Sequence, residues 1–205
     1  MDAKKLEIIE RSSQIFMRYG IKSITMDDVA RELGISKKTL YKYFQDKNEL
    51  VVTILSAKIE LDKQYCKRSN EESENAIDEL FNLSKFVHEQ VGQINPVVFL
   101  DLKKHHPEGW ELMRKHKWNF IFNMIHKNIL RGINEGVYRS NLNPEIVARL
   151  YVGSTDLIMN EEVFPWPEFS FDKVFIETIR FHIRGMASDE GIEYLKQRIK
   201  KETNE

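Results

Sequence analysis

The chain has 205 residues, a net charge of −1 and a single cysteine. A chain of this length buries a hydrophobic core without disulfide or metal staples, and Cys66 has no partner for an internal disulfide, so a secreted disulfide scaffold is excluded. The near-neutral total hides a local excess: over residues 36–47, Lys37, Lys38, Lys42 and Lys47 face Asp46 alone. A compact positive face on such a protein predicts a localised contact with a polyanion.

The amino terminus is charged throughout, and no stretch approaches the ~18 consecutive apolar residues of a membrane span, so the expected location is the cytoplasm, with no membrane partner. No proline precedes Pro96 and alternating β-branched runs are missing, which predicts an all-α fold. Leu6, Ile9, Ser13 and Phe16 recur at spacings of three and four, predicting a first amphipathic helix that stops at Gly20. A second helix is expected to start at Thr25, with Asp27 and Asp28 in its first turn, to bury Val29, Ala30 and Leu33, and to end at Gly34. Ser36 caps a third, which carries Leu40 and Phe44 inward, with Ile35 stapled onto Leu40. Asp46 caps the next, through Leu50, Ile54, Leu55 and Ile59 to about Cys66.

The polar run at residues 68–75 is expected to be a linker or loop, followed by a helix through Leu80, Phe81, Phe86 and Val91. Asn95 before Pro96 and Asn143 before Pro144 place a capping side chain ahead of a proline at the first helical position, and His106 before Pro107 repeats the device. Helices are therefore expected at about 96–105, 107–134, 144–162 and 171–187, with a last one from about 189. Residues 163–170, with two prolines, are expected to be an irregular connection.

Residues 25–44 spell helix, glycine-containing turn, helix, braced by the helix before them. A helix-turn-helix reads DNA by laying its second helix in the major groove, so that helix needs one apolar side and one side rich in donors. Here Leu40 and Phe44 face inward, leaving Ser36, Lys37, Lys38, Thr39, Lys42 and Tyr43 for the groove. Lys37, near the helix N-terminus, suits guanine O6 and N7. Thr39 and Tyr43 suit a thymine methyl or a phosphate, and Thr25, Tyr41 and Lys47 suit phosphate oxygens.

The run from Ile9 to Leu50, and above all Thr25, Val29, Ala30, Gly34, Ile35, Ser36, Thr39, Leu40, Tyr41, Phe44, Lys47 and Leu50, closely resembles the amino-terminal domain of TetR-family transcriptional regulators. The resemblance implies a DNA-binding domain over residues 1–47 and a larger helical ligand-binding and dimerisation domain over 48–205. It also implies DNA contacts at Thr25, Ser36, Lys37, Thr39, Tyr41, Lys42, Tyr43 and Lys47. The function expected is a homodimeric repressor that leaves a palindromic operator in double-stranded DNA when a small-molecule effector binds. Asp27 and Asp28 depart from members with a basic contact there.

On that plan the helices at 144–162 and 171–187 pair with their symmetry mates, through Gly153 and Ser154 on one and Val174, Thr178, Phe181 and Gly185 on the other. The middle of helix 107–134 is apolar almost all round. With Phe86, Phe99 and Tyr151 it is expected to line a pocket in which Trp110 and Phe122 give shape and His126 or Asp156 a polar handle, for an apolar or aromatic effector. His105, His106 and His116 lack the spacing of a metal site, and no catalytic motif or cofactor-binding loop is present, so neither metal, cofactor nor enzyme is expected. Two other readings stay open: a helical protein-interaction module using the basic helix, and an enzyme in the carboxy-terminal half.

Overall fold

The computed structural model describes residues 2–92, 94–165 and 167–203, without the side chains of 201–203. It is all-α, and no strand occurs among the described residues. The helices are α1 (Ala3–Tyr19), α2 (Met26–Leu33), α3 (Lys37–Tyr43), α4 (Lys47–Glu72), α5 (Ala76–Val91) and α6 (Val97–His105). They continue with α7 (Pro107–Lys115), a π-helical turn (His116–Ile121), α8 (Phe122–Asn134), α9 (Pro144–Ile158), α10 (Phe171–Met186) and α11 (Asp189–Thr203).

Most helix starts follow their caps. Thr25 accepts the Asp28 N–H while the Asp28 carboxylate accepts the Thr25 N–H, a reciprocal capping box. Ser36 accepts the Thr39 N–H at 3.1 Å, Asp46 the Glu49 N–H at 2.8 Å, and Asn143 the Ile146 N–H at 3.1 Å. Gly34 ends α2 in the left-handed region at φ 67°, where a Cβ would be strained, so the chain reverses tightly into α3.

Four expectations need correction. The loop expected at 68–75 is confined to residues 73–75: α4 runs on to Glu72, with Ser69 and Ser73 buried and Asn70 donating to Glu79 at 3.0 Å. His106 does not cap α7; its Nδ1 pairs with Asn48 Oδ1 at 2.6 Å instead. The inner face of α1 is Ile8, Ile9, Ser12 and Phe16, leaving Leu6 exposed. The helix beginning at Pro144 stops at Ile158, four residues short of the expected end. Of the connection at 163–170, Trp166 lies outside the described residues, and the others are non-helical.

The chain divides into two compact units, residues 1–63 with 93–116, and residues 64–92 with 117–205. In the first unit α1, α2 and α3 close over a core that includes Phe16, Val29, Leu40, Phe44, Leu50, Ile54, Val98 and Leu102. Leu40 is 0% and Phe44 1% exposed. Burying each side chain contributes about 1.5–3 kcal/mol, against about 0–1 for an exposed ion pair, so these two residues fix the orientation of α3.

The second unit packs Ile77, Leu80, Ile125, Ile129, Tyr138, Val152 and Ile183 around a polar knot. Glu79, only 1% exposed, accepts from Asn70 Nδ2 at 3.0 Å, Asn128 Nδ2 at 3.0 Å and Arg131 at 3.2 Å. A buried carboxylate is tolerated because its oxygens are satisfied by donors, one of them a guanidinium. Gly132 is required beside it, since a Cβ there would lie 2.1 Å from the Tyr138 ring.

Candidate nucleic-acid interface

With Leu40 and Phe44 anchored, the remaining face of α3 turns outward. Ser36, Lys37, Lys38, Tyr41 and Lys42 are exposed; Thr39 and Tyr43 are half-buried. Thr25, at the start of α2, is exposed, and Lys47, at the start of α4, is half-buried. All nine candidate residues therefore fall within the first unit, on or beside α3.

Their hydrogen bonds sort them further. The Ser36 and Thr39 hydroxyls lie 2.8 Å apart, so one donates to the other and one O–H stays available. The Thr25 hydroxyl donates to Asp28 Oδ2 at 2.6 Å. The hydroxyl and N–H of Thr25, with Arg31 beside them, hold the Asp28 carboxyl at about 2, so it is ionised at neutral pH. Lys37 is ion-paired with Asp27 of α2. Tyr43 donates to Asp2 Oδ2 at 3.0 Å, while Asp2 Oδ1 accepts the Lys4 N–H. The Lys4 N–H, followed by the Tyr43 hydroxyl, lowers the Asp2 carboxyl; the bond to Asp2 raises the Tyr43 phenol.

Lys47 is braced from below. Its Nζ donates to the Lys22 carbonyl at 3.4 Å and lies over the Phe16 ring. Burial lowers its pKa, and the charges of Asp101 and Asp28 oppose that shift. Asp101, buried on α6, accepts the Lys22 N–H at 2.8 Å and so ties α6 to the loop leading to Thr25. Sequence reasoning missed Asp2 and Asp101; the aspartate just ahead of the Ala3 helix start was a readable cap, but Asp101 carried no sequence signal.

The expected pocket residues are spread over both units. Phe99 and Trp110 lie in the first, where Trp110 packs on the core. Phe86, Phe122, His126, Tyr151 and Asp156 lie in the second. There Phe86 stacks on Tyr65 at 3.9 Å, Phe122 meets His126 at 6.1 Å and Arg149 at 5.0 Å, and Tyr151 meets His182 at 5.2 Å. Asp156 pairs with Lys117 at 2.6 Å. No group of three or more potential metal ligands gathers among the described residues. No described helix is long and apolar enough to cross a membrane.

On α9, Ile146, Leu150 and Leu157 are exposed and Gly153 opens onto free space. On α10, Phe181 is 76% exposed and Gly185 is open, whereas Val174 is buried in the unit's own interior. Val174 therefore corrects the expected stripe: that end of α10 packs against Ile158 and Phe175.

Residues 8–54 match the sequence profile of the bacterial regulatory proteins of the tetR family. The chain is 25% identical over 172 residues, 82% of its own length and 88% of the relative's, to the uncharacterized HTH-type transcriptional regulator YvaF of Bacillus subtilis. Its fold is like that of a putative transcriptional regulator from Saccharomonospora viridis solved in complex with choline, with a TM-score of 0.73, 16% identity, and coverage of 90% of this chain and 98% of that one. It is also like that of the ketosteroid transcriptional regulator KstR2 of Mycobacterium tuberculosis, with a TM-score of 0.63, 18% identity, and coverage of 92% and 97%. A helix-turn-helix with an exposed, lysine-bearing second helix, the profile match across it and the whole-chain likeness lead to one conclusion: the chain resembles the TetR-family DNA-binding transcriptional regulators, by sequence profile over residues 8–54 and by fold over about 90% of its length.

Proposed function

We propose that the protein is a homodimeric repressor that sits on a palindromic operator and leaves it when a small-molecule effector binds. The observation that carries this reading is the division of α3, with Leu40 and Phe44 sealed in the core and Ser36, Lys37, Lys38, Tyr41 and Lys42 exposed. In the proposal Lys37 donates to guanine, Thr39 and Tyr43 meet a thymine methyl or a phosphate, and Lys38 and Lys42 face the groove walls. Thr25, Tyr41 and Lys47 hold phosphates and set the register.

One recognition helix reads few base pairs, so two are needed, about 34–36 Å apart on successive major grooves. The exposed Ile146, Leu150, Leu157 and Phe181, beside the open Gly153 and Gly185, support a twofold pairing of α9 and α10 with a second copy. The effector, apolar or aromatic, is assigned to the second unit near Phe86, Phe122, His126, Tyr151 and Asp156. The choline complex of the Saccharomonospora relative supports a ligand-holding role for this fold. An effector that prefers the off-DNA conformer by about 2.7 kcal/mol lowers operator affinity about a hundredfold. α4 belongs to the first unit up to Lys63 and to the second from Gln64, and we assign it the transmission of that preference. The cytoplasm is the matching location.

Selection of bound fragments from genomic DNA tests the proposal. Fragments sharing a twofold-symmetric motif, released by a compound linked to the neighbouring genes, are the expected result. Fragments without a common motif, or none retained, would overturn it.

A further inference from the structure

The first helix of the motif brings an acid to the face that α3 presents. Asp27 is the second residue of α2 and takes no part in the capping box, which uses Asp28. Its carboxylate instead receives the ammonium of Lys37, the first residue of α3, and both side chains are exposed. Among the described residues, ion pairs on α3 are confined to Lys37, so Lys38 and Lys42 are left to meet phosphates. A carboxylate on a surface that approaches a polyanion is repelled by every phosphate, so Asp27 lowers affinity on all sequences unless a base edge compensates it.

Such an edge exists. In the major groove guanine displays O6 and N7 acceptors while its paired cytosine displays an N4 donor, and a carboxylate is the natural acceptor for that amine. A lysine and an aspartate held side by side match the two halves of one base pair. They also lie at the N-terminal end of α3, the end of a recognition helix that reaches base edges.

We propose that Asp27 is a base-reading residue, and that Asp27 and Lys37 act as one donor and acceptor unit selecting a single G·C pair. Lys37 donates to guanine O6 and N7, and Asp27 accepts from cytosine N4. The proposal rests on α3 being the DNA-reading helix.

The test measures binding of the full chain to a selected operator and to each of its single base-pair variants, at one salt concentration, by fluorescence anisotropy. Wild type is expected to lose about 5- to 150-fold when the pair facing Lys37 is changed. D27N is expected to bind that variant and the parent almost equally while keeping its preferences elsewhere. Lys37→Met is expected to flatten the same position, and the double variant to flatten it no further. D27E, which keeps the carboxylate, is expected to retain the preference, and a thermal melt of each variant checks the fold. A D27N protein with uniformly raised affinity, or with every preference intact, would overturn the proposal. Failure of wild type to bind any selected fragment would instead remove the DNA-reading assignment beneath it.

Discussion

Replacing Phe181 with alanine separates the stability of one protomer from the stability of the pair. The ring is 76% exposed on α10, so its removal takes almost nothing from the monomer core. Surface substitutions of this kind change folding stability by about 0.5 kcal/mol or less. In the proposed twofold dimer the same ring would be buried, and symmetry counts it twice. Burying an exposed phenylalanine is worth about 1.5–3 kcal/mol; scaled to the exposed fraction and doubled, the loss is about 2–5 kcal/mol. At about 1.4 kcal/mol per tenfold, the dimer dissociation constant should rise about 30- to 3000-fold. Sedimentation velocity over a concentration series measures that rise, and urea unfolding in the dilute, monomeric range checks that folding is unchanged. The reasoning is refuted if the dimer constant stays within threefold of wild type, or if the loss appears in monomer unfolding instead.

Two further predictions follow from the first unit. Lys47→Ala should weaken binding on every DNA sequence and make the salt dependence shallower by about one unit per protomer, because a phosphate contact sets register without reading bases; a change in site preference with an unaltered slope would mark Lys47 as a base reader. Burial, reinforced by the charges of Lys47 and His105, lowers the His106 pKa against the opposing pull of Asp101. The fold therefore resists a proton that the unfolded chain accepts near pH 6.5. Stability is fully present above that pH and falls as the pH drops towards the lower folded pKa. Urea midpoints between pH 5 and 8 should decline less steeply for His106→Gln than for wild type. The half-buried His182, whose pKa is lowered by burial in the same direction, keeps part of the decline in both. Identical declines would show that His106 is not the group responsible.

The first unit was largely legible because its punctuation is local. Thr25, Gly34 and Ser36 carry their cap or turn chemistry within three or four residues, and Leu40 and Phe44 mark the inner face of a short helix without tertiary information. The end of α4 was not legible, because a polar run reads as a loop unless its partners are known. Here those partners are Glu79 and Arg131, the latter 58 residues beyond Ser73, whose carbonyl it holds. His106 failed as a cap because Asn48, 58 residues away, offered its ring a better partner. The π-helical turn at His116–Ile121 has no sequence signature at all.

On the interface itself, the sequence singled out the outward side chains of α3 but not the carboxylates that hold two of them. Asp27 sits ten residues before Lys37 and Asp2 sits 41 before Tyr43, and only the packing of α1 and α2 around α3 brings them together. Val174 joined the expected α10 stripe by spacing, but the apolar groups around Ile158 and Phe175 draw that end of the helix inward.

The central claim is that two protomers meet DNA through the lysines on and beside α3, and a salt titration of operator binding tests it most directly. Lys38, Lys42 and Lys47 of each protomer give about six phosphate contacts per dimer, so log K plotted against log salt should fall with a slope of about −5. A slope near zero, or tight binding that persists undiminished at high salt, would contradict the account.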